Sequence, residues 1–286
     1  MKDENAGDYA GIFLMRRLML CLLLFCAAPA GAVDIQFKEI PRAVIESRLR
    51  LAPGKNKERE PGLRELFEQE RCPQLSEQPV KHVKAPNLIC SVPGSLESII
   101  VVGAHFDFVD LGAGVLDNWS GAAILPSLLE SLQGVPRRHR FIFIGFTAEE
   151  QGLIGSKFYV QNLTPEQRNQ IHAMVNLDSL GASPSKFEQT RADKQLTGAL
   201  TALAHNMSLP ASIVNVHNVG RSDADSFQDA RIPAIVLHSV TTETWPILHS
   251  NRDQLSAVHI DDYYDTFRLI AAYLAYLDQI LDQPLQ

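Results

Sequence analysis

Residues 141–156 read FIFIGFTAEEQGLIGS. The opening run is apolar, short and without an alternating polar face, so it predicts a strand buried on both sides. Strands of that kind belong to α/β sheets, where ligands gather beyond the carboxyl ends of the strands. Glu149 and Glu150 fall just past such an end. Adjacent side chains there leave in different directions, so one carboxylate can hold a metal while its neighbour faces a substrate. The same two residues would also suit the first turn of a helix on dipole grounds alone. What decides between these readings is whether the rest of the chain supplies partners.

Outward from this stretch lie four further apolar runs: SIIVVGAH at 98–105, AMVNLDS at 173–179, SIVNV at 212–216 and PAIVLHS at 233–239. Helix-patterned segments separate them: SGAAILPSLLESL, GLIGSKFYVQNL, LTGALTALAHNM and the closing DDYYDTFRLIAAYLAYLDQIL. Strands alternating with helices predict an α/β fold, a three-layer α/β/α sandwich around a mixed, largely parallel central sheet. Upstream, PRAVIESRLRLA predicts a short helix beginning at Pro41. KNKEREPG, charged and broken by Pro61 and Gly62, reads as a solvated loop, followed by a short amphipathic stretch, LRELFEQE. VKHVKAPNLICSVPG reads as two edge strands around a turn at Pro86 and Asn87.

The 286 residues, 45% of them hydrophobic, suffice for one large core, and a single domain over 33–286 is the simplest organisation. A net charge of -7 with scattered basic residues excludes a nucleic-acid binder, which needs a basic surface to neutralise phosphates. From Met15 the chain runs MRRLMLCLLLFCAAPAGA: two arginines, an apolar stretch short for a membrane span, then small residues ending Ala30-Gly31-Ala32. Residues 1–32 are therefore expected to be a signal peptide cleaved after Ala32. The mature chain would be exported, periplasmic or secreted, and left without a stable membrane anchor. Cys72 and Cys90 would then meet an oxidising compartment, which favours a disulfide between them.

Each core strand ends in a residue that can bind a metal. His105 and Asp107 close the first run, Asp117 follows in GVLDNWSGAA, Glu149 and Glu150 close the second, and Asp178 closes the third. Asp223 in SDADSF and His249 in LHSNRD come later. A single one of these has ordinary explanations; Asp117, for instance, could cap the next helix. The repetition is harder to explain so, because burying this many carboxylates costs heavily unless cations compensate them. Three carboxylates and two neutral histidines would carry three negative charges against the four of two divalent ions, leaving room for one hydroxide.

Together GAHFD (103–107), LDNWSGAA (116–123), FTAEEQGLIGS (146–156), NLDS (176–179), SDADSF with RIPAIVL (222–237) and HSNRD (249–253) make the chain resemble the M28 family of zinc-dependent exopeptidases. The motifs follow the family's order and cover roughly residues 95–280. The resemblance implies two Zn²⁺ per chain and an aminopeptidase acting on peptide substrates. His105 and Asp178 would bind one zinc, Glu150 and His249 the other, and Asp117 would bridge both, with its peptide bond to Asn118 cis. Glu149 would be the general base, and Asp107 would hold the His105 ring by its other nitrogen. His and carboxylate ligands suit zinc on chemical grounds as well.

The chain departs from the family at Ala224, where a histidine is usual; any hydrogen bond that histidine makes is expected to be absent or supplied by Asp225. His238 and His259 compete with His249 for the last ligand position, and the spacing of HSNRD favours His249. Three rival functions share the fold. A single-zinc glutaminyl cyclase lacks the TAEEQG and DNWSGAA forms. A carboxypeptidase needs a basic clamp for the terminal carboxylate, for which Arg221 is nearest in sequence. A non-catalytic binding ectodomain would have lost ligands.

Overall fold

The apolar runs become strands of one eight-stranded sheet in a computed structural model that describes residues 35–215 and 220–281. In chain order the strands are β1 (Gln74–Gln78), β2 (Asn87–Val92), β3 (Ile99–His105), β4 (Arg140–Phe146), β5 (Ile171–Leu177), β6 (Ser185–Glu188), β7 (Ala211–Val214) and β8 (Ala234–His238). Across the sheet they run β1-β2-β4-β3-β5-β8-β6-β7. The central four, β4-β3-β5-β8, are mutually parallel; β1 and β2 are antiparallel additions on one side, and β6 is antiparallel to β8 on the other. Parallel strands in the middle place their carboxyl ends on one rim of the sheet. Every residue of β3 is buried, as an uninterrupted apolar run demands.

Alternate residues of β3 enter separate cores. Ile100, Val102 and Ala104 pack with residues of α1 (Arg42–Arg50), α2 (Asn56–Gln69), α3 (Ser120–Leu132), α6 (Lys194–Asn206) and α8 (Ile260–Ile280). Ile99 and Val101 face the other way, into a cluster with Tyr159 and Val160 of α4 (Ile154–Gln161) and Phe227 of α7 (Asp223–Asp229). The three-layer α/β/α sandwich with a mixed sheet is thus the observed architecture. The Cys72–Cys90 disulfide is present and ties the segment after α2 to β2.

Several local expectations need correction. KNKEREPG is no solvated loop; it forms the first turns of α2, with Pro61 inside the helix. Tertiary anchoring overrides the breaker signal here, since Arg59 is fully buried and fixes that turn. The strand paired with β2 is QLSEQ at Gln74–Gln78 and not the VKHVK segment. Short β6 and α7 have too few residues to show a period, and both escape pattern reading. A further helix, α5 (Pro165–Gln170), carries a signal that was readable, a capping box between Thr164 and Gln167. The signal peptide expected over 1–32 lies outside the described residues. Among the described residues no helix is long and apolar enough to cross a membrane.

Candidate active site

The parallel order brings His105, the turn after β4 and Asp178 to the same rim. His105 is buried at the end of β3, and its Nδ1 lies 3.1 Å from the carbonyl oxygen of Asp107. A carbonyl only accepts, so Nδ1 carries the proton and Nε2 turns its lone pair to the rim. There Nε2 lies 3.3 Å from Asp117 Oδ1 and 3.8 Å from Asp178 Oδ1. Asp107 thus meets the other ring nitrogen of His105 through its backbone carbonyl, while its carboxylate turns elsewhere. That carboxylate sits 3.7 Å from the ring nitrogen and instead accepts hydrogen bonds from the backbone N–H groups of Glu149 (3.0 Å) and Glu150 (3.2 Å). The backbone of Asp107 orients the histidine, and its side chain orients the turn that carries the two glutamates.

Asp117 stands in a tight turn, Val115–Trp119, and its peptide bond to Asn118 is cis. Asn118 ties this turn to the end of β5: its amide donates to the Leu177 carbonyl (2.9 Å) and its Oδ1 accepts from Ser179 (3.1 Å) and Gly121 (2.9 Å). From the opposite side Asp253 accepts the backbone N–H groups of Leu116 (2.7 Å) and Asp117 (3.1 Å). So held, the Asp117 carboxylate points one oxygen at each histidine, with Oδ2 3.2 Å from His249 Nε2. His249 Nε2 is also 3.0 Å from Glu150 Oε2. Two three-residue groups with ligand atoms in mutual reach result, His105–Asp117–Asp178 and Asp117–Glu150–His249, sharing Asp117; a third joins His105, Glu149 and Glu150.

The electrostatics are those of a site short of positive charge. Burial raises the Asp117 pKa, but with no metal present His105 and His249 in their protonated forms donate to it and outweigh burial, holding the carboxyl well below its usual range. Burial pushes Glu149 up to about 9, reinforced by Asp223, Asp178 and Glu150 and opposed by His105. Glu150 rises to about 7 through burial and the charge of Asp117. Asp223, also buried, rises to about 7 chiefly through that burial, and Glu150 Oε1 finds no hydrogen-bond partner. Buried polar atoms without partners are costly, and paired carboxylates facing them repel. Divalent cations would relieve both. The His/carboxylate donor set fits zinc, with the His105 Nδ1–H held from behind by the Asp107 carbonyl.

The remaining expected residues fall outside this cluster. His238 accepts a hydrogen bond from Val240 N–H at 3.2 Å, and burial pushes its pKa down to about 4. His259 sits at the start of α8, exposed, 3.4 Å from Asp262. Ala224 is buried in the core, and Asp225 cannot stand in for the family histidine, because it caps α7 by accepting the Ser222 N–H at 2.8 Å and pairs with Arg191. Arg221 donates to Asp229 at 3.0 Å, which occupies the group a carboxypeptidase would need. Asn118 and Asp253 both lay within quoted motifs, but their roles depend on partners far along the chain.

The family model of peptidase family M28 matches residues 87–274. The chain belongs to that family. Among relatives by sequence, leupeptin-inactivating enzyme 1 of Streptomyces exfoliatus is 35% identical over 150 residues, 51% of this chain and 34% of that protein. The chain thus spans about a third of the relative's length. Among solved structures, the zinc aminopeptidase BSAP of Bacillus subtilis aligns with a TM-score of 0.62 at 24% identity, over 66% of this chain and 49% of its own. A glutaminyl cyclase from an Acidobacteriales bacterium aligns with a TM-score of 0.69 at 16% identity, over 88% of this chain and 98% of its own. At these identities the structural likeness is one of fold.

Proposed function

We propose that this M28 protein is an exported two-zinc aminopeptidase that removes amino-terminal residues from peptides. The observation that carries the reading is Asp117, one carboxylate with its two oxygens set against two different histidines, His105 at 3.3 Å and His249 at 3.2 Å. A carboxylate placed between two groups of metal-compatible residues in this way supports a pair of metals over a single one. His105 and Asp178 would hold one zinc, Glu150 and His249 the other, and Asp117 both. Zinc held there supplies Lewis acidity to the scissile carbonyl and lowers the pKa of nearby water. Glu150 is committed to His249, which leaves Glu149 to take the proton of the attacking water and return it to the leaving amine. Asp107 keeps both glutamates in place through their backbone.

Export is supported by the hydrophobic, small-residue leader and by the Cys72–Cys90 disulfide, which needs an oxidising compartment. Mass spectrometry of the exported protein is expected to find a chain beginning near Val33 with no free thiol. Function is tested with metal-replete enzyme on amino-acid amides, amino-blocked and carboxy-blocked peptides, and a peptide beginning with glutamine. Amides and carboxy-blocked peptides should be hydrolysed and amino-blocked ones spared. Cleavage confined to free carboxyl termini would mean a carboxypeptidase, and cyclisation of the glutamine peptide without hydrolysis would mean a cyclase.

A further inference from the structure

We propose that the first turn of α2, outside the family-matched residues 87–274, is part of the active-site scaffold, with Arg59 and Asn56 as positioning residues for the two loops that carry Asp107 and Asp117. The inference rests on the metal-dependent peptidase reading and concerns how the metal-binding loops are held. Asn56 makes a reciprocal pair with the backbone of Phe108: its amide donates to the Phe108 carbonyl (2.9 Å) and its Oδ1 accepts the Phe108 N–H (3.0 Å). Phe108 follows Asp107, the residue whose carboxylate holds the backbone of Glu149 and Glu150. One helical turn on, Arg59 is fully buried. It donates to the carbonyls of Pro53 (2.7 Å), Gly114 (3.0 Å) and Ala113. Its guanidinium lies 4.3 Å from the Phe108 ring centroid and 5.2 Å from that of Trp119.

Residues 113–117 are therefore gripped from two sides by opposite charges. Arg59 takes the carbonyls at the start of the loop. Asp253 takes the N–H groups of Leu116 and Asp117 at its end, and its own carbonyl accepts the Ala113 N–H at 2.8 Å. Asp253 and Asp107 favour the charged guanidinium against its burial. The two loops also touch: Gly114 has φ 54°, and a Cβ there would meet Phe108 Cβ at 2.3 Å. Movement of either loop is transmitted to the other. Because Asp117 must present one oxygen to each metal position, a small shift of its backbone degrades both positions together. Lysine cannot replace this contact, since an ammonium lacks the planar fork that reaches adjacent carbonyls while stacking on a ring.

Arg48 offers the control. It is also buried, but its side chain fastens to Ser127 (2.7 Å) and Glu130 (2.8 Å) on α3 and to Glu70; only its backbone carbonyl meets the site turn, accepting from Trp119 Nε1 at 3.1 Å, and a lysine keeps that bond. The experiment compares the full chain with its Arg59→Lys, Asn56→Ala and Arg48→Lys variants. Bound zinc is measured at buffered free zinc, melting temperature after chelator treatment, and kcat and KM on an amino-acid amide at saturating zinc. For Arg59→Lys the free zinc giving half-loading should rise about tenfold or more, the range seen when groups that orient metal ligands are removed. The kcat should fall with KM little changed. Asn56→Ala, a change at an exposed position, should move zinc loading in the same direction by a smaller factor. Arg48→Lys should lower the melting temperature and leave zinc loading as in the unaltered chain. Wild-type zinc loading in both Arg59→Lys and Asn56→Ala overturns the proposal, as does an equal shift in Arg48→Lys. Should Arg59→Lys not fold, Asn56→Ala decides alone by the same measure. Zinc loading is read without substrate, so failure to hydrolyse any amino-acid amide would sink the aminopeptidase reading and leave this one to be judged by the metal.

Discussion

Glu149 and Glu150 differ by one position, and Asp107 holds both by their backbone N–H groups, so their roles separate only through what each carboxylate reaches. Glu150 reaches His249 at 3.0 Å; Glu149 is assigned the proton transfer. Glu149→Gln should keep both zincs and the fold while turnover falls by about 10² to 10⁴, because an amide cannot accept the proton. Glu150→Gln should lose one zinc more readily, a neutral amide oxygen being a poorer ligand. Metal analysis with steady-state rates separates them, and zinc loss from the Glu149 variant with retention in the Glu150 variant would exchange the roles. Their position was legible in the sequence because a buried strand announces where it ends, and Asp178 stood out for the same reason, whereas Asp117, in the turn Val115–Trp119 well past β3, stood out only through the motif LDNWSGAA. The role of Asp107 was not legible, since choosing between its carbonyl and its carboxylate as the partner of His105 requires knowing how the backbone turns after β3. Nor was that of Asp253, whose partners Leu116 and Asp117 lie 137 and 136 residues away.

At the scale of elements, the turn 147–150 is positioned by how closely α4 returns to the end of β4. Gly155 N–H donates to the Thr147 carbonyl at 3.0 Å, and Asn87 bridges the two segments by donating to Gly155 O (2.9 Å) and accepting from Thr147 N–H (3.1 Å). A Cβ on Gly155 would stand 2.3 Å from Thr147 O and 2.5 Å from Asn87 Oδ1, both fixed by those hydrogen bonds. Gly155→Ala should therefore push the glutamate turn outward, costing about 1–3 kcal/mol as overpacking does. Denaturant unfolding gives the cost, and activity should fall further than stability alone explains; a variant as stable and active as the parent would refute the tight return. Strand β4 and helix α4 were readable from period and length. Helix α2 was not, because Pro61 and its charged neighbours signal a loop, and only the buried docking of Arg59 reveals why the helix forms.

For the whole molecule, gathering the carboxyl ends of parallel strands on one rim concentrates acidic groups whose protonation is then tied to folding. His249 is raised to about 9, first by its hydrogen bond to Asp117 and then by Glu150, against the effect of burial. A histidine raised above its ordinary 6.5 stabilises the fold fully below that pH and ceases to do so as pH climbs through about 9. Glu149 and Glu150, raised from 4.5 to about 9 and about 7, act in the same direction, since the folded state binds their protons more tightly than the unfolded chain does. Asp117, held low, has the opposite sign, but its contribution is lost only as pH falls below the ordinary carboxylate range. His238, pushed down to about 4 by burial, opposes this loss up to its ordinary 6.5, so the metal-free protein should lose stability most clearly from about pH 6.5 to about pH 9. Zinc binds the ionised carboxylates and neutral imidazoles that this rise in pH creates, so its stabilisation should grow over the same window. Melting temperatures of zinc-loaded and chelator-treated protein, compared at about pH 6 and about pH 8.5, should show a gap that widens at the higher value. A gap that stays constant or narrows would mean that the acidic rim is not where the metal acts on stability.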